Sequence, residues 1–146
     1  MQELADQQGR AKIGWVADGV LYARFENKIS APVGEWVATC LTAFAQEADG
    51  IRYFADSGAL TEYDILARSA IVRALLANRR RFASLVVLTW VRGVGPTART
   101  FADALGGSIE YLTDAKQFEA QLLAAAPAAK QAIEAAPQRL RKTPRP

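Results

Sequence analysis

Residues Ser84–Trp90 read SLVVLTW, a short run with no charged residue. It has the length of a strand and lacks the polar alternation of a half-buried one. A strand of this kind is covered on both faces, as in the middle of a parallel sheet. That asks for further strands beside it and for helices packed on the sheet.

The rest of the chain supplies such elements. Lys12–Ala17 and Val20–Glu26 are two apolar-rich runs split by Asp18-Gly19. This dipeptide favours positive φ at both turn positions, so the pair is predicted as a type I′ hairpin. In the second run Leu21, Ala23 and Phe25 point one way, and Val20, Tyr22, Arg24 and Glu26 the other. Ser30 caps a helix that Pro32 can enter in its first turn, where a missing N–H has no partner to lose. Val33, Trp36, Val37, Cys40, Leu41 and Phe44 follow at the spacing of one helix face, and Asp49-Gly50 ends it.

Ile51–Ala55 is predicted as a strand that ends in a turn at Asp56–Tyr63. A helix over 62–81 follows, with Thr61 and Asp64 spaced as a capping box and Asp64 at its third position. Its predicted inner face is Ile65, Leu66, Ser69, Val72, Leu75 and Leu76. Arg79-Arg80-Arg81 complements the carbonyls at its C-terminus. After SLVVLTW come a Gly93-Val94-Gly95-Pro96-Thr97 loop, a short helix from Pro96 to Leu105, a strand at Ser108–Leu112, and a helix over Ala115–Ala125 capped by Thr113 or Asp114. The order β-β-α-β-α-β-α-β-α implies an α/β fold with a mainly parallel sheet, right-handed crossovers and an N-terminal antiparallel hairpin. Residues 1–11 are expected to be a flexible N-terminus and 12–126 one domain. Residues 127–146 form a basic, Ala/Pro-rich tail, weakly helical over 128–136 and disordered beyond.

Several function classes recede on composition. The chain has no histidine, which removes Ser–His and Cys–His nucleophilic systems and the commonest metal ligand. No metal or cofactor is expected, and no enzymatic activity. Any catalysis would rest on carboxylates, Arg, Lys, Tyr or Ser. The single cysteine, Cys40, lies within a helix stripe and reads as a buried structural thiol. It excludes an internal disulfide and fits a reducing cytoplasm, as does the polar, acidic start Met1–Gly9, which is no signal peptide. No apolar run is long enough to span a membrane. The tail carries Lys130, Arg139, Arg141, Lys142 and Arg145 against Glu134 alone, yet no aromatic interleaving accompanies it, so nucleic acid is not the expected partner.

An opening hairpin followed by these βα steps resembles the STAS domain, the fold of bacterial anti-sigma-factor antagonists. The resemblance covers about residues 12–125. Its local anchor is FADSGALTEYDILARSA, Phe54–Ala70. The family pattern is a strand, an Asp, a short turn, a second Asp, a phosphorylatable Ser and a helix. Asp56 falls at the first acid and Asp64 at the second. Ile65 falls where the phosphoserine stands, Leu66 where a second Ser is common, and Ala67 where Gly is common. The chain is thus similar to divergent STAS-like proteins that keep the fold and lose the serine. What this implies is a regulatory or scaffolding module that binds another protein without the usual serine switch.

Ligands of open α/β sheets meet the carboxyl ends of parallel strands at a reversal of strand order. Those ends are predicted at Asp56–Tyr63 and Trp90–Thr97. In the STAS-like order Asp56, Asp64, Arg92 and Arg99 converge there, with Thr61, Tyr63 and Trp90 nearby, and the predicted binding surface is the corner from Asp56 to Arg68, Ser57 included, plus the Gly93–Thr97 loop. Such a cluster can bind a polar ligand, dock a charged loop, or satisfy itself as ion pairs. Gly93 and Gly95 precede a helix, so their N–H groups can hold a phosphate, although no Walker motif is present. The alternative function is accordingly a module for a nucleotide or lipid at the same loops. A second copy can add to the open edge of the N-terminal hairpin, giving a homo-oligomer.

Overall fold

The computed structural model describes residues 1–89 and 109–134. Its centre is a parallel pair, β3 (Val20–Ile29) and β4 (Ile51–Tyr63), flanked on one side by β5 (Phe82–Leu88) and β6 (Ile109–Leu112). On the other side lie the antiparallel β2 (Gly9–Ala17) and β1 (Gln2–Ala5). The order in the sheet is β1-β2-β3-β4-β5-β6, so each strand neighbours its predecessor.

Side-chain alternation divides the core between the two faces. Leu21, Ala23 and Phe25 of β3 and Ile51, Tyr53 and Ala55 of β4 join one cluster with α1 (Ala31–Ala45) and α2 (Ile65–Ala77). Val20 and Tyr22 of β3 and Phe54 of β4 join the other, with α3 (Ala115–Ala125) and α4 (Ala129–Glu134). The crossovers β3–α1–β4 and β4–α2–β5 step in one direction across the sheet, and crossovers of the same hand then put α1 and α2 on the same face, where one core cluster holds both. Leu85, Val86 and Leu88 of β5 are buried and Val87 is half-buried, as a strand covered on both sides requires.

Several elements follow their local chemistry. Ser30 Oγ accepts from the Val33 N–H at 3.5 Å and also donates to Asp6, which ties the first helix to the β1–β2 turn. Val33, Val37, Cys40, Leu41 and Phe44 are buried and Trp36 is half-buried, the predicted stripe. Asp114 caps α3 through the Lys116 N–H at 2.9 Å, and Phe118 and Leu122 face inward.

Other expectations are corrected. The N-terminal 1–11 contains a strand, β1, that pairs with Arg10–Ile13, so the hairpin is not the sheet edge. Asp18 does not take positive φ, whereas Gly19 does at 69°, and so the turn is not type I′. A register shift between Trp15 and Ala17 takes up the difference. Trp15 packs edge-on against Phe44 at 5.3 Å on the α1 face, opposite to Tyr22. Ala129 and Ile133 are buried, so the packed region extends past Pro127.

The largest corrections concern Phe54–Ala70. No turn follows Ala55: β4 runs on to Tyr63. Ser57 and Gly58 together stand opposite the single Phe25 of β3, because Arg24 pairs with Asp56 and Glu26 with Ala59. The Asp-Ser-Gly signal is therefore a β-bulge inside a strand, with the Gly58 N–H donating to Asp56 Oδ1 at 3.0 Å. The second helix begins at Ile65, not Glu62, and Asp64 is its N-cap, accepting from the Leu66 N–H at 2.8 Å. Thr61 lies in β4 and makes no cap. The buried face of α2 is Ala67, Ala70, Ile71, Ala74 and Leu75. Ile65 and Leu66 point outward, 78% and 62% exposed. The helix stops at Ala77, and Arg79–Arg81 form a separate 3₁₀ turn in which Arg79 Nη1 donates to the Leu76 carbonyl at 3.1 Å.

Candidate functional site

The predicted cluster divides between the two faces of the sheet. Asp56 alternates with Ala55 and shares the face of Phe54 and Tyr22, away from α2. Asp64 caps α2 in the opposite layer. The two acids therefore form no acid–base pair, and no reversal of strand order occurs in the described sheet. Arg92, Gly93, Gly95 and Arg99, together with Trp90, lie outside the described residues.

Asp56 is 5% exposed and is satisfied by neighbours of its own. Its Oδ2 accepts from the Tyr22 hydroxyl at 3.0 Å and from Arg24 Nη1 at 3.1 Å. Arg24 Nε donates in turn to Glu26 Oε2 at 2.7 Å. Glu26 Oε1 accepts from Arg10 Nε at 3.0 Å and from its Nη2. Arg10 reaches Glu3 at 3.4 Å, which also pairs with Lys12 at 3.8 Å. The chain runs across β4, β3, β2 and β1 with acids and bases in equal number. Arg24 and Glu26, which the hairpin pattern had placed near a strand end, are 3% and 2% exposed.

The energetics follow from this pairing. Burial alone pushes the Glu26 carboxyl up, but its bonds to Arg24 and Arg10 outweigh that and hold it below its ordinary value. Burial and the Asp56 charge both push the Tyr22 phenol upward, so it remains a neutral donor. Of the two acids, Asp56 belongs to an ion-pair cluster whose other members are Arg24, Glu26 and Arg10, whereas Asp64 serves as a helix cap. The sequence signal was visible as alternation: Tyr22, Arg24 and Glu26 share a face. The partner strand's register was not.

On the α2 side, Ser57 is buried and hydrogen-bonds Tyr63. Tyr63 packs edge-on against Phe25 at 5.9 Å. Burial pushes its phenol up to about 12, against the opposing effects of Ser57 and the nearby Arg68 charge. Tyr111 of β6 is shifted upward by burial and feels Arg68 as well. Arg68, Tyr63 and Tyr111 are thus neighbours at the start of α2. Thr61, Glu62, Ile65, Leu66 and Arg68 are exposed there. Ser57, Tyr63 and Arg68 of the predicted corner lie on the α2 side, whereas the Asp56 side chain is on the opposite face.

A groove lined by Thr39, Thr42, Gln46 and Ala74 lies between α1 and α2, away from the strand ends. No group of three or more Cys, Asp or Glu arranged to hold a metal occurs among the described residues. No described helix is long and apolar enough to cross a membrane.

No protein-family model matches the sequence, and no curated protein matches it either. Solved structures do. One is an uncharacterised protein of the DUF3478 family from Shewanella loihica PV-4, with a SpoIIAA-like fold. It is 13% identical, the match covers 82% of this chain and 98% of that one, and the TM-score is 0.62. Another is the Bacillus cell fate determinant SpoIIAA in its phosphorylated form, 15% identical over 76% of this chain and 98% of that one, with a TM-score of 0.49. The chain has a SpoIIAA-like fold, as its resemblance to the STAS domain implies.

Proposed function

We propose that the protein is a non-enzymatic regulatory or scaffolding module, cytoplasmic in setting, that binds another protein through the start of α2. The observation that carries this reading is the exposure of Ile65 and Leu66, 78% and 62%, directly after the Asp64 cap. Large aliphatic side chains left in water at a rigid helix start favour an anchor in a partner's pocket. Arg68, whose charge reaches the phenols of Tyr63 and Tyr111, lies one turn along from these aliphatic residues and adds a polar neighbour. Ile65 has no hydroxyl, so control by phosphoryl transfer at that position is excluded from the proposal. The polar end at Asp56 is filled by its own partners, which argues against a nucleotide or lipid there. A second copy joining at the sheet edge would pair along Gln2–Ala5, since β1 covers β2.

The test is affinity capture from the cells of origin with the full chain and with Ile65→Asp/Leu66→Asp. Both sites are exposed, so the variant keeps its fold, checked by circular dichroism. A partner retained by the wild type and lost by the variant supports the proposal. An identical set of captured proteins overturns it.

A further inference from the structure

The outward face of α2 extends beyond its first turn. At 100° per residue, Ile65, Ser69, Val72 and Leu76 fall on one line, opposite the buried Ala67, Ala70, Ile71 and Ala74. Ile65 and Ser69 are exposed, and Val72 and Leu76 are half-buried. Neither Val72 nor Leu76 belongs to the core of either sheet face. Leu66 and Arg73 flank this line on one side and Arg68 on the other, all three exposed. Arg79 and Arg80 continue it past the helix end, also exposed.

The charge on this face is of one sign. No Asp or Glu occurs in the sequence between Asp64 and Asp103. Among the described residues, Arg10, Lys12, Arg24, Lys28 and Arg81 each pair with a carboxylate. Arg68, Arg73, Arg79 and Arg80 have no carboxylate partner within that set. On the sheet Arg10, Lys12, Arg24 and Lys28 meet acids and Arg52 meets none in that set, whereas along α2 and the turn after it none of the four arginines does.

We infer that the partner of this face is an acidic amphipathic segment of another protein, which lays an apolar stripe on Ile65, Val72 and Leu76 and carboxylates on the flanking arginines. The inference rests on the protein-docking reading above and names the chemistry of its partner. The flanking cations are all arginine, whose planar fork matches carboxylates in two-bond geometry. A helix that lies on lipid sinks a broad apolar face of Trp, Phe or Leu beneath a separate Lys/Arg face. On α2 the arginines stand on both sides of a single apolar line, Val72 and Leu76 of that line are already half-buried, and no aromatic lies on it, which favours a protein over a membrane. A helix laid in register on this stripe would contact it at the i, i+3, i+4, i+7 spacing.

The experiment uses the full chain, isotope-labelled, and follows its amide resonances during titration with a synthetic amphipathic peptide. The peptide has a leucine stripe flanked by glutamate. Its control has glutamine in place of each glutamate. Vesicles of anionic and of zwitterionic phospholipid form the third arm. The expected result is saturable binding of the glutamate peptide with shifts centred on 65–80, and Kd raised roughly tenfold or more by Arg68→Glu/Arg73→Glu. Unchanged amide dispersion away from α2 shows that the variant is folded. Equal binding of the glutamine peptide overturns the acidic requirement and leaves the docking corner standing. Binding of neither peptide, shifts elsewhere, or tighter binding to anionic vesicles overturns the inference. The capture experiment then still decides the docking reading on its own.

Discussion

Asp56→Ala tests the buried chain of ion pairs most directly. The substitution removes the acceptor shared by the Tyr22 hydroxyl and Arg24 Nη1, and also the one used by the Gly58 N–H. Arg24 is 3% exposed, so water does not replace what it loses, and only the 2.7 Å contact with Glu26 remains to balance its charge. Removing one partner of a buried pair costs about 3–5 kcal/mol, because the other charge stays buried. A domain of this size has about 5–15 kcal/mol of stability in all. With a urea slope of roughly 2 kcal/mol/M, the midpoint should fall by about 1.5–2.5 M. Tryptophan fluorescence follows the transition.

The companion variant Arg24→Met/Asp56→Ala separates lost attraction from stranded charge. Methionine fills a similar stem volume without the guanidinium, and Glu26 keeps its two bonds from Arg10. The double variant should therefore be more stable than the sum of the two single losses predicts, by about 1–3 kcal/mol. A cost below about 1 kcal/mol for Asp56→Ala, or additivity within about 0.5 kcal/mol, refutes the reasoning.

Three further outcomes follow from the same structure. Asp64→Ala removes the side-chain cap of α2 and should cost about 1 kcal/mol by urea titration, less in Asp64→Asn, which can still accept. Gly34→Ala should destabilise despite a gain of about 1 kcal/mol in helix propensity. The added Cβ would sit 2.4 Å from the Cα of Ala67, so α1 and α2 must move apart, and a raised urea midpoint would contradict this packing. Because Glu26 is held below its ordinary 4.5 in the fold, it contributes stability above that value that is lost as pH falls through its lower folded pKa. Denaturation from pH 6 downward should show that loss, and Glu26→Gln should weaken the pH slope below 4.5.

The sequence made the element order legible because turn residues and apolar periods agreed in most places. Ser30, Pro32 and the Val33–Phe44 stripe define α1 without tertiary help, and Asp114 does the same for α3. SLVVLTW announced a strand covered on both sides. The misreading of Asp56–Tyr63 has one physical cause. Asp, Ser and Gly mark turns when the chain is free, but inside a paired strand the same residues make a bulge. Asp56 is paired with β3 on one side and β5 on the other, and Ala59 with β3, so the chain stays in β4 across Ser57-Gly58 through pairings that no local signal encodes. The convergence of Asp56 with Asp64 failed because Asp56 is held within the sheet, whereas Asp64 lies past the end of β4 as the cap of α2.

The helix α2 shows how a correct period can still select the wrong face. Ile65, Leu66, Val72 and Leu76 are the larger apolar residues of the segment, so hydrophobicity alone turns them inward. Helix α1, however, presents Gly34 to α2, and the Ala67 backbone comes so close that not even a methyl group fits between them. Only a small-residue face can make that approach, which selects Ala67, Ala70 and Ala74 for the interior and leaves the bulkier stripe outside. Ile71 and Leu75 fill the space on either side of the close contact. Close packing thus sets the rotation of the helix and, as a direct consequence, puts its apolar surplus and its unmatched arginines on one accessible face. Enlarging the inner face while trimming the outer one, as in Ala70→Leu with Leu76→Ala, keeps composition and period almost constant. It should lower stability through the α1 contact, whereas Leu76→Ala alone should leave it nearly unchanged. Were burial of the larger residues the controlling factor, the single outer substitution would carry the greater loss.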